Sequence, residues 1–193
     1  LFLHDSRLAF GTTANSKLNI AIIGCGGKGG GNLSDVSGEN IVALCDVNEN
    51  VARGAAQRFK EAKVFWDYRR MFDKMHNQID AVVVSTPDHT HALPSLIAMQ
   101  LGKHVYCEKP LTHNIYEARL MRETARKYKV ATQMGNQGTA ENGLREAVEI
   151  IRAGELGKIK EVHIWSNRPV WPQGLERPKE TPPVPPELHW DLW

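Results

Sequence analysis

Short apolar runs alternate with segments of helical period over the first 135 or so positions of the chain. Residues 18–23 (Leu-Asn-Ile-Ala-Ile-Ile), 41–45, 64–65, 79–84, 104–107 and 130–134 are rich in Val, Ile and other small apolar residues and read as strands. The run Ile79-Asp80-Ala81-Val82-Val83-Val84 has the continuous β-branched character of a strand covered on both faces. Between the runs lie a glycine-rich helix-compatible segment and segments at 51–60, 68–75 and 91–101, the last ending at Gly102 as a C-cap. A further helix carries Ala118, Met121, Ala125 and Tyr128 on one stripe. Strands alternating with helices predict an α/β fold with a doubly wound parallel sheet and right-handed crossovers.

The pattern changes beyond Gly135. Leu144, Ala147, Val148 and Ile151 form a helical stripe that stops near Gly154, and residues 158–166 then alternate as one strand. A lone strand leaves its ladder groups unpaired. The expectation is therefore a longer protein of which this is the N-terminal part, or pairing with another copy through this sheet. After Arg168 come many prolines together with Trp171, Trp190 and Trp193, without a regular period. The domains expected are an arm at 1–16, a nucleotide-binding unit at 17–136 and the beginning of a second domain at 137–193.

The candidate chemistry starts at Gly24-Cys25-Gly26-Gly27-Lys28-Gly29-Gly30-Gly31, which directly follows the first strand. Six of the chain's sixteen glycines stand here. A strand that turns through bare backbone into a helix presents N–H groups to an anion, and glycine lets a pyrophosphate approach without Cβ obstruction. Gly24, Gly26 and Gly29 fit G-x-G-x-x-G, and Gly27 and Lys28 lie within the same cradle. Asp46 ends the second strand-like run, where an acid bonds the ribose 2′-hydroxyl of a dinucleotide. An acid there repels a 2′-phosphate and no arginine follows in Val47-Asn48-Glu49, so the pattern favours NAD over NADP.

Composition narrows the class without changing it. The chain has 193 residues, 41% hydrophobic and 24% charged, with a formal net charge of +2. The scattered basic residues imply neither nucleic acid nor an anionic membrane surface as partner. The apolar runs are shorter than the roughly 20 residues of a membrane-spanning helix. Cys25, Cys45 and Cys107 match no zinc spacing and are read as small buried packing residues. Leu1-Phe2-Leu3 and the small residues up to Ala14 fit either an ordinary arm or the remnant of an export signal, which leaves a cytoplasmic or a periplasmic location open.

Two further motifs stand at predicted carboxyl ends of strands, on the rim that bears the glycine loop. These are Ser85-Thr86-Pro87-Asp88-His89-Thr90-His91 and Cys107-Glu108-Lys109-Pro110. A lysine beside a nicotinamide can accept or return a substrate hydroxyl proton, and Glu108 is placed to orient it. The glycine loop, Asp46, Thr86-Pro87-x-x-x-His91 and above all Glu108-Lys109-Pro110 closely resemble the glucose–fructose oxidoreductase/inositol dehydrogenase (Gfo/Idh/MocA) family over residues 17–166.

That resemblance implies a Rossmann domain followed by an α/β domain with a mostly antiparallel sheet. It makes Lys109 the catalytic lysine and Gly24, Gly26, Gly29 and Asp46 cofactor contacts. Thr86, Pro87, His91 and Glu108 line the nicotinamide half, and Asn136 faces cofactor or substrate. The family's aspartate–histidine pair that assists the lysine would lie beyond Trp193. His89 is read equally as an exposed loop residue and as a site residue, and His163 as a packing residue ahead of a pocket one. Trp165, Trp171, Trp190 and Trp193 serve either as anchors or as platforms for sugar faces.

The function expected is NAD-dependent hydride transfer at a secondary hydroxyl of a sugar, polyol or glycoside. The alternatives are a glycosidase or lyase that uses bound NAD in a transient oxidation–elimination cycle, and a non-catalytic NAD-binding module.

Overall fold

A computed structural model describes residues 17–168 and 172–193; the expectations for the arm at 1–16 and for Trp171 lie outside the described residues. Six strands form one sheet: β1 (Asn19–Ile23), β2 (Asn40–Cys45), β3 (Lys63–Phe65), β4 (Ala81–Val84), β5 (His104–Glu108) and β6 (Thr132–Gly135). Their order is β3-β2-β1-β4-β5-β6 and every pairing is parallel. This is the doubly wound order, in which the chain reverses direction between β1 and β4 and opens a crevice at their carboxyl ends.

The two-residue period of the strands builds a core on each face. Ala21 and Ile23 of β1, Val82 and Val84 of β4, and Val105 and Cys107 of β5 join one cluster. Ile20, Ile22 and Val83 belong to the other. The first cluster also takes Met71, Phe72 and Met75 from α3 (Tyr68–Met75), Ala92, Leu96 and Met99 from α4 (Ala92–Gln100), and Met121 from α5 (Ile115–Tyr128). The second is closed by Leu33 of α1 (Gly27–Asp35) and by Val51 and Ala55 of α2 (Glu49–Arg58). Local signals set the helix starts. Asn48 Oδ1 accepts from Asn50 N and Val51 N at α2, and Asn114 Oδ1 accepts from Glu117 N at α5. Gly102, just past α4, takes φ +76, which fits the expected stop.

The chain divides into two compact units, one comprising the sheet unit through Gly135 together with Pro185–Trp193, the other Asn136–Val184. The last nine residues therefore leave the expected second domain and pack with the Rossmann unit, held by Glu49 N donating to Glu187 O (2.9 Å) and His189 N donating to Val47 O (2.9 Å). The second unit contains α6 (Asn142–Ala153), which ends at Gly154 with φ +80.

Residues 158–166 are not a strand. They are irregular and exposed, with Ile164 91% and Trp165 85% accessible. Alternation alone does not hold a strand, because its N–H and C=O groups need a ladder partner. The strand-based argument for self-association loses its basis with it. His163, expected to pack ahead of facing a pocket, is exposed, and its Nε2 meets Glu161 Oε1 at 2.9 Å. No helix among the described residues is long and apolar enough to cross a membrane.

Candidate functional site

The glycine loop is shaped by contacts that exclude side chains. Gly24 adopts φ +86, and a Cβ there would lie 2.6 Å from Ser85 O. At Gly29 a Cβ would lie 2.0 Å from Gly24 O, so the first turn of α1 closes directly on the loop before it. Gly26 caps α1 with no side-chain hydrogen bond, and the first turn carries no acid. Around Gly27, at φ +48, no atom stands within 4 Å of where a Cβ would be. The amino end of α1 thus offers bare backbone with the positive end of the helix dipole, as a diphosphate requires.

Asp46 follows β2 at the same edge of the sheet. Its Oδ2 accepts from Cys25 N (2.8 Å) and its Oδ1 from Asn48 N (2.9 Å). Each carboxylate oxygen has a second lone pair, so the acid can fasten the loop and still accept a ribose hydroxyl. A cavity of about 530 Å³ opens here, lined by Gly24, Gly26, Asp46, Thr86 and Pro87 among others. Thr86 Oγ1 in its wall is buried without a hydrogen-bond partner. The glycine cradle, the half-used acid and this hydroxyl fit a dinucleotide.

The next two strand ends are joined by residues that the sequence did not mark. Asn32 of α1 is buried, and its Nδ2 donates to Ser85 Oγ (2.9 Å) and to Glu108 Oε1 (2.9 Å). Tyr106 OH also donates to Glu108 Oε1 (3.3 Å), and Lys28 Nζ stands 4.0 Å from it. The buried Glu108 carboxylate is therefore turned toward α1, and it packs so closely that a Cβ on Gly135 would lie 2.6 Å from Oε1. Lys109, next in the chain, is exposed at the carboxyl edge. Lys28 is half exposed at the amino end of α1.

His91, expected in the nicotinamide half, is held between two loops. It is 1% exposed, with Nδ1 2.6 Å from Pro110 O and Nε2 2.8 Å from Thr86 O. The ring lies between the loop after β4 and the loop after β5, each nitrogen facing a backbone carbonyl and whichever bears the proton donating to it. His89 is exposed, and its ring meets Trp193 at 5.3 Å. Asn136 directly follows β6 as the first residue of the second unit, where its carbonyl accepts from Thr139 N and Oγ1. Trp190 stacks on Trp193 at 5.5 Å. Leu188, Leu192 and Trp193 also line the cavity beside Asp46; Trp193 was expected as an anchor or a sugar platform, whereas Leu188 and Leu192 were missed because the segment has no period.

Burial raises all three thiols. Cys25 is pushed up to about 12 and Cys107 to about 11, each chiefly by desolvation, and Cys45 moves upward for the same reason. None is a thiolate nucleophile at neutral pH.

Residues 18–136 match the family model described as "Oxidoreductase family, NAD-binding Rossmann fold" (GFO_IDH_MocA). The chain belongs to this family. Its cofactor is NAD. Inositol 2-dehydrogenase 2 of Saccharopolyspora erythraea is 30% identical over 163 residues, 82% of this chain and 48% of the relative. A glycosyl hydrolase family 109 protein of Solibacter usitatus is 32% identical over 158 residues, 75% of this chain and 36% of the relative. Myo-inositol 2-dehydrogenase from Lactobacillus plantarum superposes with a TM-score of 0.69 at 28% identity, covering 74% of this chain and 43% of that one. The chain spans less than half the length of these relatives.

Proposed function

We propose that the protein is an NAD-dependent dehydrogenase acting on a secondary hydroxyl of a polyol, sugar or glycoside, with Lys109 as the catalytic group. The observation that carries this reading is the position of Lys109. It stands exposed at the carboxyl end of β5, on the same rim of a fully parallel sheet as the glycine loop after β1 and Asp46 after β2. When bound along that rim, NAD⁺ would supply the hydride acceptor for a carbinol carbon. The chain's own residues hold the diphosphate at Gly24, Gly26, Gly27 and Gly29 and the ribose at Asp46, with Lys28 beside the cradle. The rim loops bearing Thr86, Pro87 and Glu108, and Asn136 after β6, flank the reactive end. The amine of Lys109 accepts the hydroxyl proton as the substrate is oxidised and returns it in the reverse direction. The likeness to inositol dehydrogenases supports a cyclic polyol or sugar as the substrate class.

Lys109→Ala tests the assignment. Turnover with a polyol panel should fall at least about 100-fold, the lower end for a general acid–base group, while the affinity for NAD⁺ stays within about threefold. Retained turnover removes Lys109 from the role.

The likeness to a glycosyl hydrolase family 109 protein favours one second reading, transient oxidation followed by elimination and return of the hydride. Stoichiometry separates the two, since a net dehydrogenase accumulates one NADH per product and the cycle accumulates none.

A further inference from the structure

The segment Pro185–Trp193 reaches the nucleotide site from the far end of the chain. It runs antiparallel to the loop after β2, with a bridge between Asn48 and Leu188. Two backbone hydrogen bonds flank that bridge, Glu49 N to Glu187 O and His189 N to Val47 O, both 2.9 Å. Side chains add to the seam. His189 stacks on Trp66 at 5.7 Å with rings 17° apart, and its Nε2 lies 3.0 Å from Glu49 Oε1. Across the cavity mouth, Trp193 meets the ring of His89 on the loop after β4 at 5.3 Å. The segment therefore pairs with the loop that bears Asp46, on the adenosine side of a Rossmann crevice, and through Trp193 reaches the outer part of the loop after β4 at His89. Its apolar residues Leu188, Leu192 and Trp193 line the cavity between them.

We infer that Pro185–Trp193 is a clamp on the adenosine half of the NAD site. Leu192 and Trp193 wall off the adenine, and the Leu188–Asn48 pairing holds the loop that presents Asp46 to the ribose. The inference rests on the NAD reading of the site. Its physical content is twofold. A flat heteroaromatic ring gains affinity from apolar and aromatic walls on its faces. A segment hydrogen-bonded to the acid-bearing loop also fixes that loop before the ligand arrives, which lowers the ordering cost of binding. The clamp is made by residues outside the matched family region, 18–136. A substitution there should alter cofactor retention without touching the glycine loop or Lys109.

The experiment is calorimetric titration of the whole chain and of its Leu192→Ser and Trp193→Ala variants with NAD⁺, AMP and nicotinamide mononucleotide. Each variant should weaken NAD⁺ and AMP by at least about tenfold, with the mononucleotide unchanged. Wild-type affinities for NAD⁺ and AMP in both variants overturn the clamp, as does equal weakening of AMP and the mononucleotide. No binding of NAD⁺ to the folded wild-type chain overturns instead the underlying reading of the site. Amide hydrogen exchange on the wild-type chain needs no variant. Saturating NAD⁺ should slow exchange at Glu49 and His189, and unchanged exchange there counts against the clamp.

Discussion

Replacing Asn32 by alanine tests how the rim is assembled. The side chain is buried between α1, β4 and β5 and donates at 2.9 Å both to Ser85 Oγ and to the carboxylate of Glu108. A hydrogen bond to a charged group is worth about 1.5–3 kcal/mol and a neutral one about 0.5–1.5 kcal/mol. Losing both should cost roughly 2–4 kcal/mol. The charged term dominates, because Glu108 is 5% exposed and Lys28 Nζ, half exposed, stands 4.0 Å away. For a chain of this size each kcal/mol lowers the melting temperature by about 2–4 °C, so the expected fall is roughly 5–15 °C. Thermal unfolding followed by circular dichroism reads it directly. Asn32→Asp should fall further than Asn32→Ala, since it sets a second carboxylate against Glu108. A fall of under about 2 °C in Asn32→Ala, or an Asp variant more stable than the Ala one, refutes the argument.

Gly29→Ala and Gly31→Ala should have opposite effects although both lie in α1. At Gly29 the new Cβ meets Gly24 O at 2.0 Å, whereas at Gly31 nothing stands within 4 Å. The first should destabilise by about 1–3 kcal/mol or more and cost most of the NAD⁺ affinity, and the second should stabilise by up to about 1 kcal/mol; equal effects in urea unfolding and NAD⁺ titration would remove the close approach from the account. The buried thiols make stability fall with alkali. Their folded values lie above the ordinary 9.0 (Cys25 about 12, Cys107 about 11, Cys45 also raised). Above the unfolded value the unfolded chain binds fewer protons than the folded one, so stability is constant below it and declines as pH rises through that window. Each thiol adds a slope approaching about 1.4 kcal/mol per pH unit. Urea unfolding at about pH 8 and about pH 10 should show Cys45→Ala losing one such increment, and an unchanged slope would contradict the burial.

The sheet was legible because its central strands are buried on both faces and advertise themselves as apolar, β-branched runs; all six strands overlap the runs expected for them, although the edge strands β3 and β6 are only partly buried. The glycine loop and Asp46 were legible for a different reason. They answer to backbone geometry and charge, which residue type reveals directly: Gly24 takes a positive φ, and Gly29 admits no Cβ. What the sequence hid depends on contacts distant in the chain. Asn32 reads as one polar residue in a helix, and nothing nearby announces that it meets Glu108, seventy-six positions away. Leu188 and Trp193 belong to a segment without period, so only the fold brings them to Asp46. The alternation at 158–166 misled for the complementary reason, since a two-residue period states which face would be buried and supplies no partner to bury it.

Asn32 shares a task with two residues the sequence did mark, Asp46 and His91. In an open parallel sheet the carboxyl ends of strands diverge into separate loops, and hydride chemistry needs those loops held to within a fraction of an ångström. Here the three central neighbouring pairs, β2 and β1, β1 and β4, and β4 and β5, are joined by polar side chains. Asp46 ties the end of β2 to Cys25 after β1. Asn32 ties α1 to Ser85 after β4 and to Glu108 in β5. His91 ties Thr86 to Pro110, across the loops after β4 and β5. The motif residues on this rim therefore do two kinds of work. Gly24, Gly29 and Asp46 face the cavity or its glycine loop and are the groups proposed for the nucleotide, while Glu108 and His91, inside the stretches most diagnostic in sequence, are turned inward beside Lys109. On the proposed reading, substituting the inward set should shift the placement of substrate relative to cofactor, whereas substituting Lys109 should abolish proton transfer and leave that placement intact.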